Sequence, residues 1–241
     1  MSEKRCLGCM LYKRNSPICE HCGYDERKAN APHQLCPGTV LNNQYLVGRV
    51  LGQGGFGITY IGWDQFLGIP VAIKEFYPSG VVIRDSTRSS SVFLTSDKVS
   101  DRFVANRDRF VREATSLARL GRFSGTGSIV SIHNLVQANA TAYIIMEYVD
   151  GIDMRAYMHR MGGTLTLEET LRLLLPLMES LEVVHNNHIV HRDISPDNIM
   201  VLPDGSTKLI DFGAAHEVQY DGEGSQKSTE AILKYGFAPP M

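Results

Sequence analysis

At 241 residues, with 43% apolar and 21% charged side chains, the chain is long enough to bury one medium core or two small ones. Its 24 basic residues against 26 acidic ones leave a net charge of -2, which argues against a generic electrostatic grip on nucleic acid or anionic lipid. No stretch approaches the roughly 18 uncharged apolar residues of a membrane span, and the charged, cysteine-bearing start is no signal peptide, so a cytoplasmic protein without a membrane segment is expected.

Residues 1–27 carry four of the five cysteines, as Cys6-Leu-Gly-Cys9 and Cys19-Glu-His-Cys22. In a reducing compartment such pairs suggest metal or redox chemistry rather than disulfide staples. Each pair can offer two thiolates to one ion from a tight turn, and four soft ligands suit tetrahedral Zn²⁺. Gly8 and Gly23 stand where a knuckle needs unusual backbone angles and amides facing sulfur. Redox-active pairs and inert thiols are the alternatives. A segment so short and so poor in apolar residues cannot fold around a core of its own, which favours one zinc held by Cys6, Cys9, Cys19 and Cys22. His21 reads as solvent-facing and Cys36 as an unpaired thiol.

Residues 28–44 hold two prolines, three asparagines and little periodicity, and read as a linker with a domain boundary near residue 42. From Tyr45, "YLVGRVLG" and "ITYIGW" flank a glycine cluster and "PVAIKEF" follows, together an antiparallel sheet. "DSTRSSS" at 85–91 reads as a solvated loop. Phe103, Phe110, Ala114 and Leu117 fall near helical spacing within 100–120, with Ser100 as N-cap and Gly121 as the stop. "TAYIIMEYV" at 141–149 is a buried strand, and 166–188 a long helix that Pro176 can kink. "NIMVL", the turn "PDG" and "TKLID" then form a hairpin, giving an α+β, two-lobed order of elements.

Several of these elements carry chemistry. "LGQGGFGITY" sets Gly52, Gly54 and Gly57 on the turn between two strands, where backbone N–H groups can approach phosphate. In "VAIK" Ala72 and Lys74 share a strand face, a small residue that admits a flat ring and an ammonium that reaches phosphates. Glu113, placed inward among Phe110, Ala114 and Leu117, is a partner for that lysine. "HRDISPDN" holds Asp193 and Asn198, and Asp211 of "DFG" returns across the hairpin, so that two carboxylates and an amide can hold Mg²⁺ and orient a hydroxyl.

In this order the motifs resemble the eukaryotic-like protein kinases, from about residue 45 to the last residue. The resemblance implies a kinase domain at 45–241, with an N-lobe at about 45–146 and a partial C-lobe at about 150–241, behind a zinc ribbon. It implies ATP beneath Leu51, Gly52, Gly54, Gly55, Phe56, Gly57 and Ile58, with Ala72 and Met146 around the adenine and the backbone of Glu147 and Val149 bonding to it. Lys74, paired to Glu113, would hold the α/β-phosphates, and Asp193 would receive or orient a protein Ser/Thr hydroxyl. Asn198 and Asp211 would hold Mg²⁺. His191 and Phe212 would pack as structure. The knuckle ahead of "VLNNQYLVGRVLGQGGFGITY" is similar to a bacterial subgroup of these kinases.

Departures from the pattern are equally specific. Lys74 and Glu113 lie 39 residues apart, an unusually long connection expected to add a loop or a strand. Ser195 stands where Ser/Thr kinases carry a lysine, and Lys234 stands where they carry a threonine, an exchange that would let Lys234 reach the γ-phosphate. His216 replaces a common arginine, leaving Arg192 less help with a phosphorylated loop residue; Tyr220, Ser225, Ser228 and Thr229 are candidates for that residue. The chain stops at "APPM", where C-lobe helices are expected to continue, and Leu171, Leu173, Leu174, Leu175 and Leu177 spread over more than one helix face, so a truncated domain is expected. The rivals to an active kinase are an ATP-binding pseudokinase or scaffold and a zinc-ribbon adaptor with an inert kinase remnant.

Overall fold

In the computed structural model, which describes residues 4–28, 30–121, 125–191, 193–211 and the backbone of 216–217, the chain opens with two small hairpins. One pairs β1 (Lys4–Arg5) with β2 (Tyr12–Lys13); the other closes at an Ile18–Asp25 bridge. Each bears one cysteine pair. There follow β3 (Val40–Leu41), β4 (Tyr45–Gln53), β5 (Gly57–Asp64), β6 (Ile69–Phe76), β7 (Val82–Ile83), β8 (Phe93–Leu94), the helix α1 (Ser100–Leu120), β9 (Ile132–Ala138) and β10 (Thr141–Glu147).

A six-stranded sheet runs in the order β3-β4-β5-β6-β10-β9, and β7 pairs with β8 apart from it. Alternation seats Val47, Ile58, Tyr60, Ile73, Tyr143 and Ile145 in its interior. Phe76 at the end of β6 meets the rings of Phe103 and Phe110, at 5.5 and 5.4 Å between centroids, so the amphipathic face of α1 is laid on the sheet by three aromatics. The helix starts at Ser100 as read, but Ser100 is not its cap. A 3₁₀ turn at Asp97–Val99 precedes it, and the Ser96 hydroxyl upstream accepts the Lys98 amide.

Two connections were hidden in the sequence by their lack of glycine. Asn42-Asn43 joins β3 to β4 with φ of 50° and 52°, and Asn139-Ala140 joins β9 to β10 with φ of 52° and 59°. Two successive left-handed residues are the turn geometry that an Asn-Gly pair normally announces; the first turn is closed by Gln44 N on Leu41 O at 3.0 Å within a three-residue loop, and the second joins its strands directly. Hence the stretch read as a linker ends in a sheet strand, and β9 went unread. Nor does the rest of 28–44 hang loose: Leu35 is fully buried, and its amide donates to the Tyr60 hydroxyl at 3.0 Å.

The second part of the chain comprises β11 (Ile152–Asp153), α2 (Met154–Arg160), α3 (Leu167–Asn186), β12 (Ile189–Val190), β13 (Ile199–Val201), β14 (Thr207–Leu209) and β15 (His216–Glu217). Strands β11, β13 and β14 form a small sheet, and β12 pairs with β15. Thr166 caps α3 by accepting the Glu169 amide, and Pro176 is carried inside the helix without ending it. Leu173 and Leu177 are buried while Leu171, Leu175 and Met178 are exposed, the many-faced helix expected from its leucines. Met1–Val111 with His133–Tyr148, and Arg112–Ile132 with Val149–Met241, form two compact units. Among the described residues no helix is long and apolar enough to cross a membrane.

Candidate active site

The two cysteine hairpins obey one backbone pattern. Cys6 donates its amide to Leu11 O at 2.8 Å and accepts Met10 N at 2.8 Å; Cys19 donates to Tyr24 O at 2.9 Å and accepts Gly23 N at 2.9 Å. The residue after each second cysteine is left-handed, Met10 at φ 61° and Gly23 at φ 70°. Gly8 serves differently: its amide faces Cys6 Sγ at 3.2 Å, and a Cβ there would lie 2.3 Å from Tyr24 Cβ. Packing, rather than a left-handed backbone, requires glycine at that position.

The four sulfurs lie within 4.8 Å of one another, with Cys6–Cys22 at 3.8 Å and Cys9–Cys19 at 3.9 Å. Tetrahedral zinc with Zn–S bonds of about 2.3 Å sets sulfurs about 3.8 Å apart, so the donor set fits the ion in kind and in spacing. Burial first, and then the neighbouring Cys22 and Cys6 thiols, push the Cys9 thiol above its ordinary value; a divalent cation opposes that by stabilising thiolate. Lys13 and Glu26, paired at 3.1 Å, brace the base of the knuckle.

In the same unit, the β4–β5 hairpin carries the glycine cluster. Gly54 N donates to Gly57 O at 2.9 Å to close the turn, and Ser79 N and Tyr77 N reach back to Gly55 O and Phe56 O at 2.9 and 3.1 Å. A Cβ on Gly52, Gly54 or Gly55 would meet nothing within 4 Å, so these three face open space in which phosphate can approach amides. Gly57 answers to packing instead, since a Cβ would lie 2.6 Å from Glu75 O. That same point lies 3.9 Å from Lys74 Cε, which brings the strand lysine to the end of the glycine turn.

Across β6 and β10, Ala72 pairs with Met146 and Val71 with Glu147, joining the expected adenine-facing residues in one register. Ile58 is fully buried; Leu51 and Phe56 are exposed, and Val149 is buried. Glu113 sits half-buried on α1.

Beside Lys74 lies a cluster the sequence did not announce. Glu75 is wholly buried and makes a two-pronged ion pair with the equally buried Arg84, one arm being Arg84 Nη1 to Oε2 at 3.1 Å. Tyr60 and Tyr143 each donate a hydroxyl to Glu75 at 2.9 Å, and Arg84 also reaches His33 O at 3.2 Å. The long connection after β6 is therefore no plain surface loop: Arg84, directly after β7, anchors it in the sheet's interior. An alternating strand gives no hint that its charged Glu75 faces inward, because the partner lies in an insertion.

In the other unit, Asn198 Nδ2 donates to Asp193 O and Oδ2 at 2.8 and 2.9 Å. Ile199 pairs with Leu209, and Ile210 N donates to Asn198 O at 2.9 Å, so the hairpin returns Asp211 beside Asn198 as its turn chemistry required. His191 is fully buried and accepts the Asp193 amide on Nδ1 at 3.2 Å. Arg155 of α2 grips Asp197 through Nε and Nη2, at 2.5 and 2.9 Å, steadying the 3₁₀ turn Pro196–Asn198 that presents Asn198. Thr207 ties β14 to α3 by donating to Leu173 O at 2.7 Å. Ser195 is buried. Lys234, Arg192, Phe212, Tyr220, Ser225, Ser228 and Thr229 lie outside the described residues.

Known proteins are similar to this chain over most of its length. Residues 45–240 match the protein kinase domain family. A serine/threonine-protein kinase PknA of Nostoc is 31% identical over 206 residues, spanning 83% of this chain and 33% of that one. PknB of Mycobacterium tuberculosis is 30% identical over 197 residues, spanning 80% and 27%. A probable serine/threonine-protein kinase of Streptomyces coelicolor is 32% identical over 198 residues, spanning 82% and 26%. The chain thus covers about a quarter to a third of these relatives. The solved structure "PpkA-294 apo form" superposes with a TM-score of 0.67 at 29% identity, covering 75% of this chain and 62% of that one. With its glycine turn, strand lysine and aspartate–asparagine loop inside the matched region, the chain belongs to the protein kinase family.

Proposed function

We propose that this chain transfers the γ-phosphoryl group of ATP to serine or threonine hydroxyls of a protein substrate, in the cytoplasm. The observation that carries the reading is the Asp193–Asn198 pair, oriented by hydrogen bonds and set beside Asp211 by the β13–β14 hairpin. In it Asp193 is the base that accepts or orients the substrate hydroxyl. Lys74, with Glu113 as its proposed partner, holds the α/β-phosphates below the glycine turn, and Ala72, Met146, Glu147 and Val149 receive the adenine. Asn198 and Asp211 would hold Mg²⁺, which supplies charge neutralisation at the phosphate oxygens. Lys234 is assigned the cationic role that Ser195 cannot perform. Labelled ATP should phosphorylate a Ser/Thr substrate, and kcat should fall in Lys234→Ala. An unchanged kcat in that variant removes the Lys234 assignment, and phosphate on tyrosine alone removes the substrate class.

Ser195 also supports a second reading, an ATP-binding scaffold without transfer. ATP binding with no labelled product would select it.

The N-terminal segment, 1–27, is proposed as a zinc ribbon on the fit of its sulfur spacing. Elemental analysis should find one zinc per chain after purification without chelator; a preparation carrying none would remove the ion from the site.

A further inference from the structure

The link between the knuckle and the glycine turn starts from an irregularity in β4. Its pairing with β5 runs Val47 to Gly62, Val50 to Tyr60 and Gly52 to Thr59, with register shifts on both sides of Val50. Two residues on β4, Gly48 and Arg49, therefore stand where β5 offers one, a bulge. A bulge takes backbone groups out of the ladder, and buried amides need another acceptor.

The knuckle supplies it. Arg49 N donates to Leu7 O at 2.8 Å, and the Arg49 side chain donates from Nε to Gly8 O at 2.8 Å. Leu7 and Gly8 are the two inner residues of the first cysteine pair. The fit is close: a Cβ on Gly48 would lie 2.3 Å from Leu7 O and 2.4 Å from Met10 Cε. Alongside, the Arg5 guanidinium lies 3.4 Å from the ring centroid of Trp63 on β5 and 4.2 Å from that of Tyr12. The carbonyls that hold the bulge are thus placed by Cys6 and Cys9, whose sulfurs an ion would fix. The strand that leaves the bulge continues into Leu51, Gly52 and the glycine turn.

We infer that metal binding at the knuckle positions the glycine turn through the Leu7 and Gly8 carbonyls and the β4 bulge, making the ribbon a positioning element for nucleotide binding. The inference rests on the zinc and nucleotide readings above. A knuckle that only tethers the N-terminus would lower the melting temperature when lost, yet leave the dynamics of residues 50–57 and nucleotide affinity unchanged.

The test uses the full chain with zinc bound and reads zinc content, amide hydrogen exchange over residues 46–57 and affinity for a fluorescent ATP analogue with Mg²⁺. Gly48→Ala leaves all four cysteines in place but forces the knuckle off the bulge. It should retain one zinc while its affinity falls and its exchange quickens by about tenfold, the scale of a modest coupling between sites. Stripping zinc with a chelator should move both readouts the same way. Should Gly48→Ala fail to fold, Arg49→Met, which removes the bond to Gly8 O, and Arg5→Ala keep the comparison, with smaller shifts in the same direction. Unchanged exchange and affinity after zinc removal overturn the inference. If the zinc-loaded parent binds no nucleotide, the nucleotide reading has failed, and exchange over 46–57 alone decides the coupling. If the chain takes up no zinc, the zinc reading fails and this inference falls with it.

Discussion

Replacing Asp193 by asparagine is expected to lower kcat for phosphoryl transfer by about a thousandfold, within the range for loss of a positioned base, with the affinity for ATP little changed. Asn198 already gives its amide hydrogens to Asp193 O and Oδ2. An asparagine at 193 has one side-chain oxygen to offer. Turned to accept from Asn198, it shows an NH₂ group where the substrate hydroxyl must lose its proton. Turned the other way, two NH₂ groups oppose each other and the loop loses the bond that orients it. Either rotamer leaves no base. Single-turnover transfer from labelled ATP, with nucleotide affinity measured alongside, separates this from a folding defect. A variant with parental kcat would show that Asp193 is not the base, and one that loses nucleotide binding equally would give it a structural role.

Arg84→Met should cost about 3–5 kcal/mol of stability, the price of leaving one member of a buried ion pair uncompensated. Glu75 would keep two tyrosine hydroxyls but lose the guanidinium paired with it. For a domain of this size the loss corresponds to a drop in Tm of about 6–20 °C. Glu75→Gln in the same chain should restore part of it, because the remaining burial is then uncharged. A Tm within about 2 °C of the parent for Arg84→Met would mean that the pair adds little to stability.

The same cluster sets an alkaline limit. Burial, followed by the charge of Glu75, raises the Tyr60 and Tyr143 hydroxyls above their ordinary value of 10.0. The folded state thus favours the neutral phenols. Their contribution is fully present below the unfolded value and is lost as pH climbs through and beyond it, where only the unfolded chain ionises. Tm measured across that range should fall more steeply in the parent than in a Tyr60→Phe variant.

Legibility differed from element to element for physical reasons. The β4–β5–β6 run and α1 could be read because period-2 and helical apolar spacing are local, and glycine marks the turn between the first two. The turns at Asn42-Asn43 and Asn139-Ala140 could not, because asparagine and alanine only sometimes adopt left-handed backbone and nothing nearby obliges them to. Apolar spacing makes Ser100 look like the cap because the helix register begins there; the 3₁₀ turn that moves the cap to Ser96 has no apolar period to betray it. Glu75 sat unnoticed beside Lys74 because strand alternation assigns a face but not its burial.

By itself the sequence determined the family and the order of the motifs, and it named the residues to which the chemistry is assigned as a proposal. Those depend on short stretches whose members are neighbours along the chain. Only the tertiary structure decided what holds them. The Arg49 bond to Gly8 joins residues 41 apart, that of Arg84 to His33 joins residues 51 apart, and that of Tyr143 to Glu75 joins residues 68 apart. Such partners are chosen by which surfaces the folded sheet brings together, and no local pattern records the choice.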